Sequence, residues 1–178
     1  FRSVGNVNAS EGKERKEAIF DGLLCASAWF FGLSAVGLLL LSNDFIRLWV
    51  GTDYVLDITS VAAIVGAFYV NNMHHACFVY RNTAGLFVYG KYIPVIASVL
   101  NIGLDVALGM WIGLPGIFLA TIIARMLTYE IVDPLIIYRR VFGKSVLAYY
   151  GNYLKYTAIV AAAGVVCWAV LSVIPVGS

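Results

Sequence analysis

Charged and amide side chains lie inside two long apolar stretches of this sequence. Asn101 and Asp105 are four residues apart and share one face of a helix, and Arg125 lies in the next apolar stretch. At about 1.5 Å per residue, Asp105 and Arg125 lie at a similar depth, roughly 20 Å from the same side of a membrane. An ionisable group in hydrocarbon costs several kcal/mol unless it is paired or faces water. We therefore expect either an ion pair that fixes helix packing or a cation at Arg125 that lines a cavity.

Two carboxylates lie one helical turn apart further along the second stretch. Glu130 and Asp133 come just before Pro134, and Arg139 and Arg140 follow within two turns. Charges at headgroup level cost far less than charges at mid-membrane, so one interpretation is an interfacial pair within reach of these arginines. The alternative is a site that binds a proton or a sodium ion to couple transport.

His74 and His75 are adjacent, so they point about 100° apart on a helix and lack the spacing of a histidine metal pair. Asn71 and His75 are four residues apart, which favours an interhelical hydrogen bond, and an imidazole can also sense protons. We expect no metal site and no cofactor.

No residues in the sequence have catalytic spacing. There is no Ser-His-Asp, Cys-His or paired-carboxylate pattern, and Gly113 and Gly116 do not form a phosphate loop. The three cysteines, Cys25, Cys77 and Cys167, lie in apolar stretches without CxxC spacing, so neither a disulfide framework nor a zinc site is indicated. The sequence therefore predicts a protein that is not an enzyme.

The composition indicates that lipid is the solvent for these elements. Hydrophobic residues make up 61% of the chain and charged residues only 12%, with a mean hydropathy of +0.86. The net charge of +2 is too small to favour a nucleic-acid partner. Apolar segments long enough to span a bilayer are predicted at 22–41, 56–80, 92–110, 117–138 and 156–176. Outside these segments we also predict a cytoplasmic leader (1–21), a surface loop (42–54) and an amphipathic interfacial helix (139–155).

Basic residues fall in every second loop. The loops on the opposite side contain only Arg47, so the positive-inside rule places the N-terminus in the cytoplasm and the C-terminus outside. The cytoplasmic residues are Arg2, Lys13, Arg15, Lys16, Arg81, Lys91, Arg139, Arg140, Lys144 and Lys155. The chain begins at Phe1 with a polar leader and no signal peptide, so we expect a piece of a longer protein.

Three stretches resemble a known family when they are taken in order. They are FIRLWVG (45–51), the run RNTAGLFVYGKYIPVIASVLNIGLDVALGMWIGLPGIFLATIIARM (81–126) and VFGKSVLAYYGNYLKY (141–156). Together they resemble the C-terminal half of the oligosaccharide flippases of capsule and O-antigen (lipopolysaccharide) synthesis. These flippases belong to the multidrug, oligosaccharidyl-lipid and polysaccharide exporter superfamily. The His74 and His75 pair is not part of that pattern.

The resemblance implies an all-α integral membrane bundle of about five transmembrane helices. It would form part of the C-terminal lobe of a two-lobed transporter with roughly 12 to 14 helices. The implied function is to flip a lipid-linked oligosaccharide, carried on polyprenyl diphosphate, across the cytoplasmic membrane of a bacterium by alternating access. Candidate cavity residues are Arg81, Asn101, Asp105 and Arg125, and Arg81 is expected where the headgroup enters. Asn71, His75, Glu130 and Asp133 are candidates for hydrogen bonding or for coupling to H+ or Na+.

Two other functions stay open at this point. A multidrug or cation antiporter of the same superfamily has the same helix count and favours acidic cavity residues, and the charges here do not decide between the two. A membrane-bound polysaccharide ligase or polymerase is a third class, but such enzymes need a large outward loop, and the outward loops predicted here are short.

Overall fold

The computed structural model describes residues 12–173, and every regular element in this range is helical. The helices are α1 (Lys13–Trp49), α2 (Ile58–Met73), α3 (His75–Thr83), α4 (Ile93–Ile112), α5 (Leu114–Leu127), α6 (Tyr129–Ile137) and α7 (Leu147–Val173). The shorter elements are 3-10 turns at Thr52–Tyr54 and Leu86–Gly90 and a π-helical turn at Tyr138–Phe142.

Within the described range, four helical stretches are long and apolar enough to cross a membrane. They are Lys13–Trp49, Val88–Ile112, Leu114–Phe142 and Leu147–Val173. At about 1.5 Å per residue, each is longer than the roughly 30 Å hydrocarbon layer. The chain is therefore a helical membrane protein, as its composition predicts.

The predicted second segment, 56–80, is not a single helix. It is divided at His74 into α2, of 16 residues, and α3, of nine residues. The side chain of Asn72 donates to the carbonyl of Phe68 at 2.7 Å, and the amide of His74 reaches the carbonyl of Val70 only at 3.4 Å. Because polar side chains compete with the backbone for these carbonyls, this polar stretch weakens the end of α2.

The first helix is longer than the predicted 22–41. Residues 42–49 contain neither Gly nor Pro, so α1 continues to Trp49 through most of the predicted loop. It ends where Gly51 adopts a φ of 118°, which side chains disfavour, and the amide of Gly51 donates to the carbonyl of Ile46 at 3.1 Å. Residues 13–21 of the predicted leader also belong to α1, and residues 1–11 lie outside the described range.

The carboxylate of Asp57 caps the start of α2. It accepts hydrogen bonds from the amide of Ser60 at 3.0 Å, from the hydroxyl of Ser60 at 2.6 Å and from the hydroxyl of Thr59. These bonds, Ser60 first and Thr59 second, lower the pKa of Asp57 to about 2. The side-chain amide of Asn43 donates to the carbonyl of Leu56 at 2.9 Å and ties this loop to α1.

The predicted interfacial helix, 139–155, does not exist as a separate element. Its first residues belong to the π-helical turn, a short loop begins at Gly143 with φ 68°, and the rest is the start of α7. The helix then continues without a break into the predicted fifth segment, 156–176, of which 174–176 lie outside the described range. Tyr149 and Tyr153, expected at the interface, are buried.

The helices pack in the spatial order α4, α5, α2, α1, α7, and α3 and α6 pack together across the bundle. An aromatic core joins α1, α3, the π-helical turn and α7. The ring centroid of Phe20 lies 5.4 Å from that of Tyr80, 5.9 Å from that of Tyr138 and 6.1 Å from that of Tyr149. In contrast, α4 exposes most of its large apolar side chains, as a lipid-facing helix does.

Candidate functional site

Four ionisable side chains and one tyrosine form a buried cluster beside the aromatic core. Asp133 is 0% exposed, His74 and Glu130 are each 4% exposed, Arg81 is 7% exposed and Tyr149 is 0% exposed. Ionisable residues are almost never buried this deeply without partners. We refer to these five residues as the buried charge cluster.

Asp133 lies between Arg81 and His74. Its Oδ1 lies 2.5 Å from Nη1 of Arg81, and its Oδ2 lies 3.0 Å from Nε2 of His74. The other ring nitrogen of His74, Nδ1, lies 3.5 Å from Oε1 of Glu130. The imidazole thus lies between two carboxylates, and the four ionisable side chains form one connected chain.

Tyr149 and Tyr150 of α7 complete the contacts of Glu130. The hydroxyl of Tyr149 donates to Oε2 of Glu130 at 3.1 Å, and the hydroxyl of Tyr150 donates to the backbone carbonyl of Glu130 at 3.1 Å. That carbonyl needs an outside donor because Pro134, four residues later, has no N–H to give it. A tyrosine from another helix therefore satisfies the group that the proline leaves unpaired.

Two helix interruptions lie beside the buried charge cluster. His74 interrupts the chain between α2 and α3, and Thr128 interrupts it between α5 and α6 with φ −115° and ψ −84°. The hydroxyl of Thr128 donates to the carbonyl of Ala124 at 2.6 Å, so the side chain satisfies a carbonyl near the break. Both carboxylates follow within two turns of Thr128.

The predicted pairing of Glu130 and Asp133 with Arg139 and Arg140 does not form among the described residues; their partners are His74 and Arg81. Both are buried, whereas Arg139 and Arg140 are exposed, and the guanidinium of Arg140 lies 4.3 Å from the ring centroid of Tyr89. The π-helical turn inserts extra backbone after Ile137, so the seven-residue spacing from Asp133 to Arg140 no longer keeps both on one helical face.

Arg81 also differs from its prediction. The sequence predicts a cation at the membrane surface that is open to an entering headgroup, but in the structure its side chain is buried against Asp133. Gly90 makes this close packing possible, because a Cβ at that position would come within 2.6 Å of Nη1 of Arg81. The basic side chain at the end of α3 is therefore an internal counter-ion.

Asp105 and Arg125 do not form the expected ion pair. The side-chain amide of Asn101 donates to Oδ1 of Asp105 at 3.1 Å, which confirms that the two share a face of α4. Arg125 lies instead over the ring of Tyr129, 5.0 Å from its centroid, and its Nε has no hydrogen-bond partner among residues 12–173. Similar depth does not ensure that two side chains point toward each other.

The histidine of the buried charge cluster is His74, whereas the sequence favoured His75. His75 and Asn71 are both exposed, and the imidazole of His75 lies 6.3 Å from the ring of Phe31. His74 is the buried one. The missed signal is the seven-residue spacing from His74 to Arg81, which places them on one helical face. Nothing in the sequence indicated Tyr149, because its partner lies on another helix.

Among the described residues, no three His, Cys, Asp or Glu side chains are grouped to hold a metal ion. Comparison of the chain with protein families, with curated proteins and with solved structures found no match. The function must therefore be inferred from the buried charge cluster and from the order of the sequence motifs.

Proposed function

We propose that this chain is part of a membrane transporter that flips a lipid-linked oligosaccharide across the cytoplasmic membrane by alternating access. The observation that carries the proposal is the buried charge cluster within a membrane-spanning bundle. Ionisable residues inside such bundles mark substrate or ion pathways, and interrupted helices are typical of transporter binding sites. Here both features occur together, at His74 and at Thr128.

The order of the sequence motifs supports the substrate class. The stretches at 45–51, 81–126 and 141–156 resemble the polysaccharide flippases in sequence and in spacing. A polyprenyl diphosphate carries negative charge through the membrane, so a transporter for it needs a cation that can reach the phosphate oxygens.

Arg125 is the cation best placed for this role. Arg81 is occupied by Asp133, and Asn101 and Asp105 bond to each other, so these three candidates of the sequence are already paired. Arg125 is only partly buried, it stacks on Tyr129, and its Nε has no hydrogen-bond partner within the described chain. A planar guanidinium held on an aromatic ring can bind two phosphate oxygens at once.

The test is Arg125→Lys in cells whose only copy of the full-length protein carries the substitution. An ammonium keeps the charge but cannot bind bidentately, so we expect less surface glycan at an unchanged level of inserted protein. The matched control is Arg47→Lys, because Arg47 is an exposed arginine near the C-terminal end of α1. This substitution should leave surface glycan unchanged.

Two results would contradict the proposal. Normal surface glycan with Arg125→Lys and with Arg125→Ala would remove Arg125 from substrate binding. If deletion of the protein leaves surface glycan unchanged but removes resistance to cationic drugs, the protein is instead a multidrug exporter.

A further inference from the structure

Both ring nitrogens of His74 face carboxylate oxygens, at 3.0 Å for Nε2 and 3.5 Å for Nδ1. A neutral imidazole has one N–H donor and one lone pair, so it would place a lone pair against one carboxylate. Neither nitrogen forms an aligned hydrogen bond among the described residues. An imidazolium nevertheless has an N–H on each nitrogen and a full positive charge, so it suits two carboxylates at these distances better than a neutral ring does. The proximity of Asp133 and Glu130 therefore favours the charged form of His74.

The charges of the cluster lead to the same conclusion. With His74 charged, two cations (Arg81 and His74) balance two carboxylates (Glu130 and Asp133), and the buried group is neutral. With His74 neutral, the group carries one uncompensated negative charge, which is strongly unfavourable where the residues are at most 7% exposed. Arg81 cannot supply or release a proton, because a guanidinium stays protonated in proteins.

We propose that the buried charge cluster is the coupling site of the transporter, and that it carries one exchangeable proton on His74. The inference rests on the proposed transport function for its biological role, and on the cluster alone for the proton. When the bundle opens to one side, the proton leaves His74 for water. The imidazole then keeps one N–H, and the cluster gains one negative charge that disfavours closure.

The groups around His74 come from three sides. Its own stretch and α3 provide Arg81 and the buried thiol of Cys77, and α6 provides Glu130, Asp133 and the ring of Tyr129, 5.4 Å from the imidazole centroid. From α7, Tyr149 donates to Glu130. Arg125 of α5 stacks on the same Tyr129 ring, but it forms no ion pair with either carboxylate within the described chain. Among the described residues, no cation other than Arg81 could therefore take the place of His74.

The cluster also lies where the helices are interrupted. His74 is itself the break between α2 and α3, and Glu130 and Asp133 follow the break at Thr128. Protonation adds ion pairs between the start of α3 and α6 through the imidazolium, and deprotonation leaves Arg81 to Asp133 as the only ion pair between them among the described residues. Proton binding is thereby linked to the packing of two short segments that the breaks separate from the long helices.

The first test examines the proton without any transport. This chain contains two histidines, so in the full-length protein with His75→Gln and isotope-labelled histidine, His74 is the remaining labelled histidine of this region. The His74→Gln variant then identifies the signals that come from histidines elsewhere in the protein. We expect nitrogen NMR of the purified protein at neutral pH to show protons on both ring nitrogens of His74. In the Glu130→Gln variant one of these protons should be lost. A singly protonated His74 in the unsubstituted cluster would overturn the proposal.

The second test examines coupling in vesicles that contain the full-length protein and a fluorescent polyprenyl-diphosphate disaccharide. We expect a pH gradient to accelerate flipping by the unsubstituted protein and a sodium gradient alone to have no effect. His74→Gln should abolish the response to the pH gradient. His74→Arg keeps the charge but cannot release a proton, so it should fold yet also lose the response. His75→Gln, an exposed neighbour, is the control and should retain it.

The outcomes separate the two proposals. Flipping that responds to the pH gradient equally in the unsubstituted and His74→Arg proteins would overturn the proton site and leave the flippase function intact. No flipping by any variant, together with a doubly protonated His74, would contradict the flippase function and retain the proton site. A response to sodium but not to pH would assign the coupling to sodium and reject the proton.

Discussion

Two carboxylates in apolar stretches of this protein have different kinds of partner. Asp105 of α4 accepts a hydrogen bond from Asn101, one turn earlier on the same helix. Asp133 of α6 pairs with Arg81 and His74, which come from a different part of the chain. Local spacing is sufficient to identify the first partner, but the second depends on how helices assemble. The two sites should therefore differ sharply in what they contribute to stability.

The largest expected effect is at Asp133. Asp133→Asn leaves the buried guanidinium of Arg81 without its counter-ion, and removal of one partner of a buried pair typically destabilises by about 3–5 kcal/mol. Adding Arg81→Met removes the stranded charge, so the double variant should be more stable than Asp133→Asn alone. Unfolding of the purified protein in detergent measures both. Strictly additive losses would show that the pair is not coupled.

An intermediate effect is expected at Tyr150. Tyr150→Phe removes the donor to the Glu130 carbonyl that Pro134 leaves unpaired, and an unsatisfied buried carbonyl costs about 1 kcal/mol or somewhat more. Combining it with Pro134→Ala restores the backbone N–H and should recover part of the loss. If Tyr150→Phe is equally harmful with and without the proline, the hydroxyl acts through another contact.

The smallest effect is expected at Asp105. Asp105→Asn keeps the side-chain shape and can still bond to Asn101, so its cost should be about 0.5 kcal/mol or less, the usual size for an i, i+4 pair within one helix. The same unfolding measurement applies. A loss as large as that of Asp133→Asn would mean that Asp105 has an ionic partner, and the contrast between the two carboxylates would disappear.

These differences explain which features the sequence could predict. Hydrophobic composition and periodicity predict apolar helices and the shared face of Asn101 and Asp105, because both depend on spacing within one helix. Composition and periodicity do not predict the break at His74, because it depends on a side-chain bond to the backbone. They also do not predict the continuity of α7, because it depends on the burial of Tyr149 and Tyr153. The pairing of Arg81 with Asp133 spans 52 residues of sequence, and no local pattern encodes it.

The continuity of α7 has a mechanical consequence. Its 27 residues form a rod about 40 Å long, and its buried contacts are concentrated at one end, where Tyr149 and Tyr153 lie. Beyond these residues α7 still packs on α1: an added Cβ at Gly32 would clash with Val160, and one at Gly164 would lie 3.5 Å from Val36. Because the helix is unbroken, a small tilt beside Glu130 is passed along this contact toward the opposite membrane surface.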